Sequence, residues 1–99
     1  MNDDELLALV TEESDAFEAY SLRHFKVWRK TPIDGGQREL LVTIFDAGPD
    51  DAANRYSVEV KDAEPTGEGN PPFHVSNGEA TINDALRGVH WNEFDRSVP

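Results

Sequence analysis

The sequence predicts an α+β domain. An antiparallel meander of three strands, four if residues 73–75 add an edge, carries an N-terminal and a C-terminal helix packed on one face. Three observations predict it. Residues 39–46, Glu-Leu-Leu-Val-Thr-Ile-Phe-Asp, are the longest apolar run, β-branched and aromatic towards one end, as suits a strand buried on most of its length. The segments at 25–30 and 56–61 alternate apolar and polar residues and read as partner strands. Both ends of the chain place apolar residues at helical spacing, giving the order α-β-β-β-α.

Residues 3–20 read as the first helix. Leu6, Val10, Phe17 and Tyr20 share one stripe interrupted by Glu13, and Leu7, Leu9 and Ala16 widen it. Asp3, Asp4 and Glu5 sit where the helix dipole favours negative charge, and the polar residues 11–15 mark the place for a break. In the first strand Phe25 and Val27 face one way, and Lys26, Trp28 and Lys30 the other. Pro32 ends pairing there. Asp34-Gly35-Gly36 supplies the positive φ of a tight reversal into residues 38–46. After a looser connection at 47–54, Tyr56, Val58 and Val60 face a core while Ser57, Glu59 and Lys61 face water. The Gly and Pro content of residues 62–72 makes a loop, mobile or functional. Thr81 is a good N-cap, and Ile82, Ala85, Leu86 and Val89 give a short second helix that Gly88 weakens or ends. Residues 90–94 are expected to fold back onto the sheet, and 96–99 to be loose.

The length of 99 residues fits one domain. The absence of cysteine excludes disulfides, thiol catalysis and thiolate metal sites. No stretch approaches the roughly 18 apolar residues of a membrane span. The acidic start, Met1-Asn2-Asp3-Asp4-Glu5, is unlike a signal peptide, so a soluble cytoplasmic protein is expected. Twenty acids against nine bases give a formal charge of −11. This is either the hydrated surface of a protein living in concentrated salt or an acidic field aimed at a basic partner. The even spread of the acids favours the first. Nucleic acid is disfavoured as a ligand, because a backbone binder needs converging bases.

No catalytic residue, metal or cofactor is assigned. His24, His74 and His90 show no metal-ligand spacing. Asp46, Asp50 and Asp51 lack the spacing of a calcium loop. None of the five serines lies in a Gly-x-Ser-x-Gly turn, and neither Gly-rich stretch joins a strand to a helix. Trp28, between Lys26 and Lys30, is either an exposed contact point in a negative molecule or core beneath a helix. Trp91, with His90 and Phe94, reads as core or capping. Asn70 and His74, in and just after the Gly/Pro loop, complete the candidate binding set of Lys26, Trp28, Lys30, Asn70 and His74. The expected function is a non-enzymatic protein-interaction or regulatory module with a protein partner and no membrane, itself a monomer or weak homodimer. The alternative is a small hydrolase or metal-dependent enzyme using His74 or His90 with nearby carboxylates.

Two resemblances bear on this. The element order resembles the double-stranded-RNA-binding fold. That family grips phosphates with a basic segment at its last helix, and the matching Ser76-Asn77-Gly78-Glu79-Ala80-Thr81 contains no base, so RNA binding is not implied. The same stretch, followed by Asp84-Ala85-Leu86, is similar to the Ser-x-Gly-x-Thr…Ala-Leu strand-to-helix join of HicB-type antitoxins. It has one extra residue before the Thr, follows an N-terminal helix foreign to that family, and stops short of its DNA-binding tail. This resemblance implies regulation of a toxin partner.

Overall fold

The computed structural model describes residues 1–63 and 73–95. Its elements are α1 (Asp3–Glu13), β1 (Ser21–Thr31), β2 (Gly36–Asp46), β3 (Tyr56–Asp62), β4 (Phe73–Val75) and α2 (Ile82–Arg87). Short 3-10 segments lie at Pro49–Asn54 and Trp91–Phe94. The strands form one antiparallel sheet in the order β1-β2-β3-β4. The α+β class and the element order are those the sequence predicts, with residues 73–75 as the fourth strand. Of the expected Gly/Pro loop, Asp62 instead ends β3, and residues 64–72, like 96–99, lie outside the described residues.

Why β2 is central follows from its side chains. Leu40, Val42 and Ile44 point to one face and are buried. There Val42 opposes Val60 and Ile44 opposes Val58, β-branched pairs that suit cross-strand packing. The β1–β2 reversal uses the expected residues. Gly35 has φ 68°, and its amide donates to the Thr31 carbonyl at 2.9 Å. Asp34 Oδ1 accepts from Thr31 Oγ1 at 2.5 Å and from the Gly36 amide at 3.1 Å, which holds the turn.

One face of the sheet is roofed by the C-terminal part of the chain. Ala85, Val89 and Phe94 are buried against Leu40, Val42, Ile44, Val58 and Val60, with Ile82, Leu86 and Trp91 packed beside them. Thr81 caps α2 as expected, its hydroxyl accepting from the Asp84 amide at 3.1 Å. Trp91 Nε1 donates to the Leu86 carbonyl at 3.1 Å, so this indole also satisfies the end of α2. The approach to α2 is tied down by backbone pairing between Tyr56 and Glu79 and by Ser76 Oγ, which accepts from the Val58 amide at 2.9 Å. A Cβ at Gly78 would meet the Asn54 carbonyl oxygen at 2.8 Å, so only glycine passes there unstrained. The core face also buries an ion pair. Arg38 Nε and Nη2 donate to the two Asp62 oxygens at 2.6 and 2.8 Å, and the guanidinium lies 5.3 Å from the Phe94 ring centre.

The N-terminal helix departs from expectation. It ends at Glu13, not near residue 20, because Asp15 takes φ 54° after Ser14 caps the last turn. It buries no residue, and Leu6 and Val10, expected in the core, are 45% and 55% exposed. Phe17, expected on the same stripe, is 99% exposed. The cause is which side of α1 is held. Asp4 is bound by Arg55 Nη2 at 2.8 Å, and Leu7, Ala8 and Thr11 line the cleft against residues 47–51. That tether turns the opposite, apolar side outwards. The covered sheet face is meanwhile filled by α2 and Phe94. Phe25 points to that face as expected, but it remains half exposed because β1 lies beyond the helical roof.

Candidate functional site

The second sheet face is built by the alternate residues of each strand. β1 gives it Leu22, His24, Lys26, Trp28 and Lys30; β2 gives Gln37, Glu39, Leu41, Thr43 and Phe45. β3 adds Ser57, Glu59 and Lys61, and β4 adds Val75. In register, Lys26 faces Leu41, which faces Lys61, and the neighbouring row runs His24, Thr43, Glu59 and Val75.

Trp28 is 62% exposed on this face, which settles its position as surface, not core. Lys26 Nζ lies 3.0 Å from Glu39, and Lys61 Nζ lies 3.6 Å from Glu59. These are exposed pairs of small energetic weight. With Lys30, all three lysines of the chain occupy the same face. Strand β1 as a whole carries four bases, Arg23, Lys26, Arg29 and Lys30, and no acid, in a chain of net charge −11. Leu22 and Val75 are exposed and Leu41 is partly buried on this surface. Tyr20 packs edge-on against Phe45 at 5.9 Å, and His24 Nδ1 is hydrogen-bonded with Thr43 Oγ1 at 3.0 Å.

The structure therefore brings Lys26, Trp28 and Lys30 together and separates His74 from them. His74 pairs with Val60 and shares its face, the roofed one, where its ring lies 4.3 Å from that of His90. Its Nδ1 is buried and has no hydrogen-bond partner among the described residues. Asn70 lies outside the described residues. Among the described residues no three His, Asp or Glu are grouped to hold a metal, and neither His74 nor His90 hydrogen-bonds a carboxylate. Lys61 and Leu41 join the candidate surface although sequence reasoning did not assign them to it. The alternation of 56–61 placed Lys61 on the wet side, but only strand register shows that this side is continuous with Trp28.

A charged network at the end of the sheet positions α1. Arg55 Nε and Nη2 donate to the Asp46 oxygens at 2.6 and 3.0 Å, and Nη2 reaches Asp4. These bonds, with help from the Gly48 amide, hold the Asp46 carboxyl below the usual carboxylate range. A depressed folded pKa stabilises the pairing above the unfolded pKa, near 3.8, and that contribution is lost as pH falls through the folded value. In an acid titration followed by amide NMR, the signals of Asp4 and Leu7 should therefore shift as α1 loosens. Arg55→Gln should remove that transition while the signals of Val58 and Val60 hold.

No helix among the described residues is long and apolar enough to cross a membrane. Comparison with protein-family models, with curated proteins and with solved structures finds no match to this chain.

Proposed function

We propose that the chain is a non-enzymatic, regulatory protein-interaction module whose docking surface is the open sheet face along β1. The observation that carries this reading is Trp28, exposed between Lys26 and Lys30 on a strand with no acid, in an otherwise acidic molecule. Tryptophan flanked by cations is well suited to be a binding hot spot, since it supplies large apolar area while the charges steer and orient the partner. The complementary partner is a protein segment with acidic side chains around an apolar anchor. Nucleic acid and anionic membrane are disfavoured by the overall charge. A cytoplasmic setting belongs to the same proposal and rests on the sequence reading.

Trp28→Ala tests it. The side chain contributes little to the core, so Tm should change by no more than a few degrees, as for surface substitutions within about 0.5 kcal/mol. A protein captured from the native cell extract by the unaltered chain should be lost with Trp28→Ala and with Lys26→Glu/Lys30→Glu. A large fall in Tm, or undiminished capture, overturns the reading.

A further inference from the structure

Two surfaces carry exposed apolar side chains with no element among the described residues packed over them, and they are complementary. The first is the sheet face just described. The second is the outward side of α1. Asp3, Leu6, Val10 and Glu13 fall at steps of three, four and three residues, which lines them up along one side of the helix, with Leu9 beside them. All of Leu6, Leu9 and Val10 are exposed. α1 carries five acids, Asp3, Asp4, Glu5, Glu12 and Glu13, and no base.

We propose that α1 of one chain seats on the open sheet face of a second copy, its Leu6–Val10 stripe over Trp28 and its Asp3 and Glu13 ends towards the lysines. The spacing fits. Ten helical residues separate Asp3 from Glu13, about 15 Å at the α-helical rise. Four strand residues separate Lys26 from Lys30, about 13 Å at the strand rise. The order acid, apolar, apolar, acid on the helix thus lies opposite Lys, Trp, Lys on the strand. Lys61, across Leu41 from Lys26, extends the basic side of the seat.

The other obvious self-contact is disfavoured. Among the described residues the outer edge of β1 is unpaired over 11 residues, a ready template for strand addition. Pairing two such edges would set four bases against four with no acid between them. Helix-on-sheet contact between opposite charges avoids this, and a two-fold arrangement repeats it twice. The inference rests on the sheet face being a docking surface, and names its occupant.

Sedimentation equilibrium of the full chain, from micromolar to near-millimolar concentration in dilute buffer, tests it. The mass should rise from 11.1 kDa towards twice that value. Leu6→Glu/Val10→Glu and Lys26→Glu/Lys30→Glu should each weaken association at least about tenfold, which is about 1.4 kcal/mol. All four positions are exposed or paired only at the surface, and circular dichroism checks that each variant stays folded. Mixing the two variants should restore association in part, because one of the two contacts then sets an intact α1 on an intact sheet face. Joining Asp3→Lys/Glu13→Lys with Lys26→Glu/Lys30→Glu in one chain should restore it too. A mass of one chain at every concentration overturns the proposal, as does a dimer that both variants leave unchanged. If the unaltered chain stays monomeric while Trp28→Ala still loses a captured protein, the sheet face keeps its role and the second copy is eliminated as its occupant.

Discussion

Asp62→Ala should destabilise the fold by about 3–5 kcal/mol, the cost of breaking a buried ion pair by removing one member. Arg38 and Asp62 are only 6% and 3% exposed, and both hydrogen bonds between them are short and parallel. Removing the carboxylate takes two charge-assisted hydrogen bonds from a guanidinium that cannot lose its proton, between β2, β3 and the Phe94 ring. Against a total stability of about 5–15 kcal/mol for a domain of this size, that is a large share. In Tm it corresponds to a fall of at least about 12 °C. Replacing both partners, Arg38→Met with Asp62→Leu, should recover most of the loss, because neither charge of the pair then remains to be desolvated. Urea unfolding of the two variants measures both effects. A loss under about 1 kcal/mol for Asp62→Ala would mean that water reaches the Arg38 site.

Neither member of this pair stood out in the sequence. Arg38 opens an apolar run and Asp62 closes an alternating one, positions where a charge reads as a strand end meeting solvent. Only the register that sets Leu40 opposite Asp62 brings the acid beside Arg38 on the roofed face. The strands themselves were legible because period-two alternation and an Asp-Gly-Gly turn are local signals. The C-terminal helix was legible because Thr81 and the Ile82, Leu86, Val89 spacing agree with each other. The N-terminal helix departs from its sequence pattern for a physical reason. Leu6 and Val10 form a true amphipathic stripe, but periodicity says only that a face exists, not what covers it. A single salt-bridged arginine, Arg55, holds the polar side of α1 to the sheet end. That reversal converts an expected core element into an exposed acidic arm.

The candidate surface was partly legible for the same reason. Alternation placed Lys26, Trp28 and Lys30 on one side of β1, and left open whether a helix covers them. Deciding it needed the whole layer arrangement. Both helices were expected on one face, which leaves the other bare. With α1 displaced to the end of the sheet, the layer that would have sat beside β1 is missing as well, so Phe25 and Trp28 are exposed on opposite faces of the same strand. Docking and stability are thereby carried by different parts of the chain.

Phe94→Ala tests that separation from the stability side, and should cost about 3–5 kcal/mol. The ring is fully buried and closes the core against Leu40 and Val58 at the last described turn of the chain. Its carbonyl accepts from Arg29 Nη1 at 2.9 Å, Arg29 Nη2 lies 2.7 Å from Asp95, and the Ile33 amide donates to the Asp95 carbonyl. β1 and the turn after it thus grip the chain at Phe94 and Asp95, so the site cannot readily collapse when the ring is removed. Phe94→Leu, keeping most of the volume, should cost less than Phe94→Ala by a wide margin. Because Arg38 lies over the ring, Phe94→Ala and Asp62→Ala share a partner, and their losses should fail to add by at least about 0.5 kcal/mol. Leu6→Ala, a similar truncation on the outward side of α1, should change stability by no more than about 0.5 kcal/mol. Urea unfolding of these variants, and of Phe94→Ala combined with Asp62→Ala, decides the matter. Equal losses at Phe94 and Leu6 would mean that α1 covers the core in solution, and would remove the exposed arm on which self-association depends.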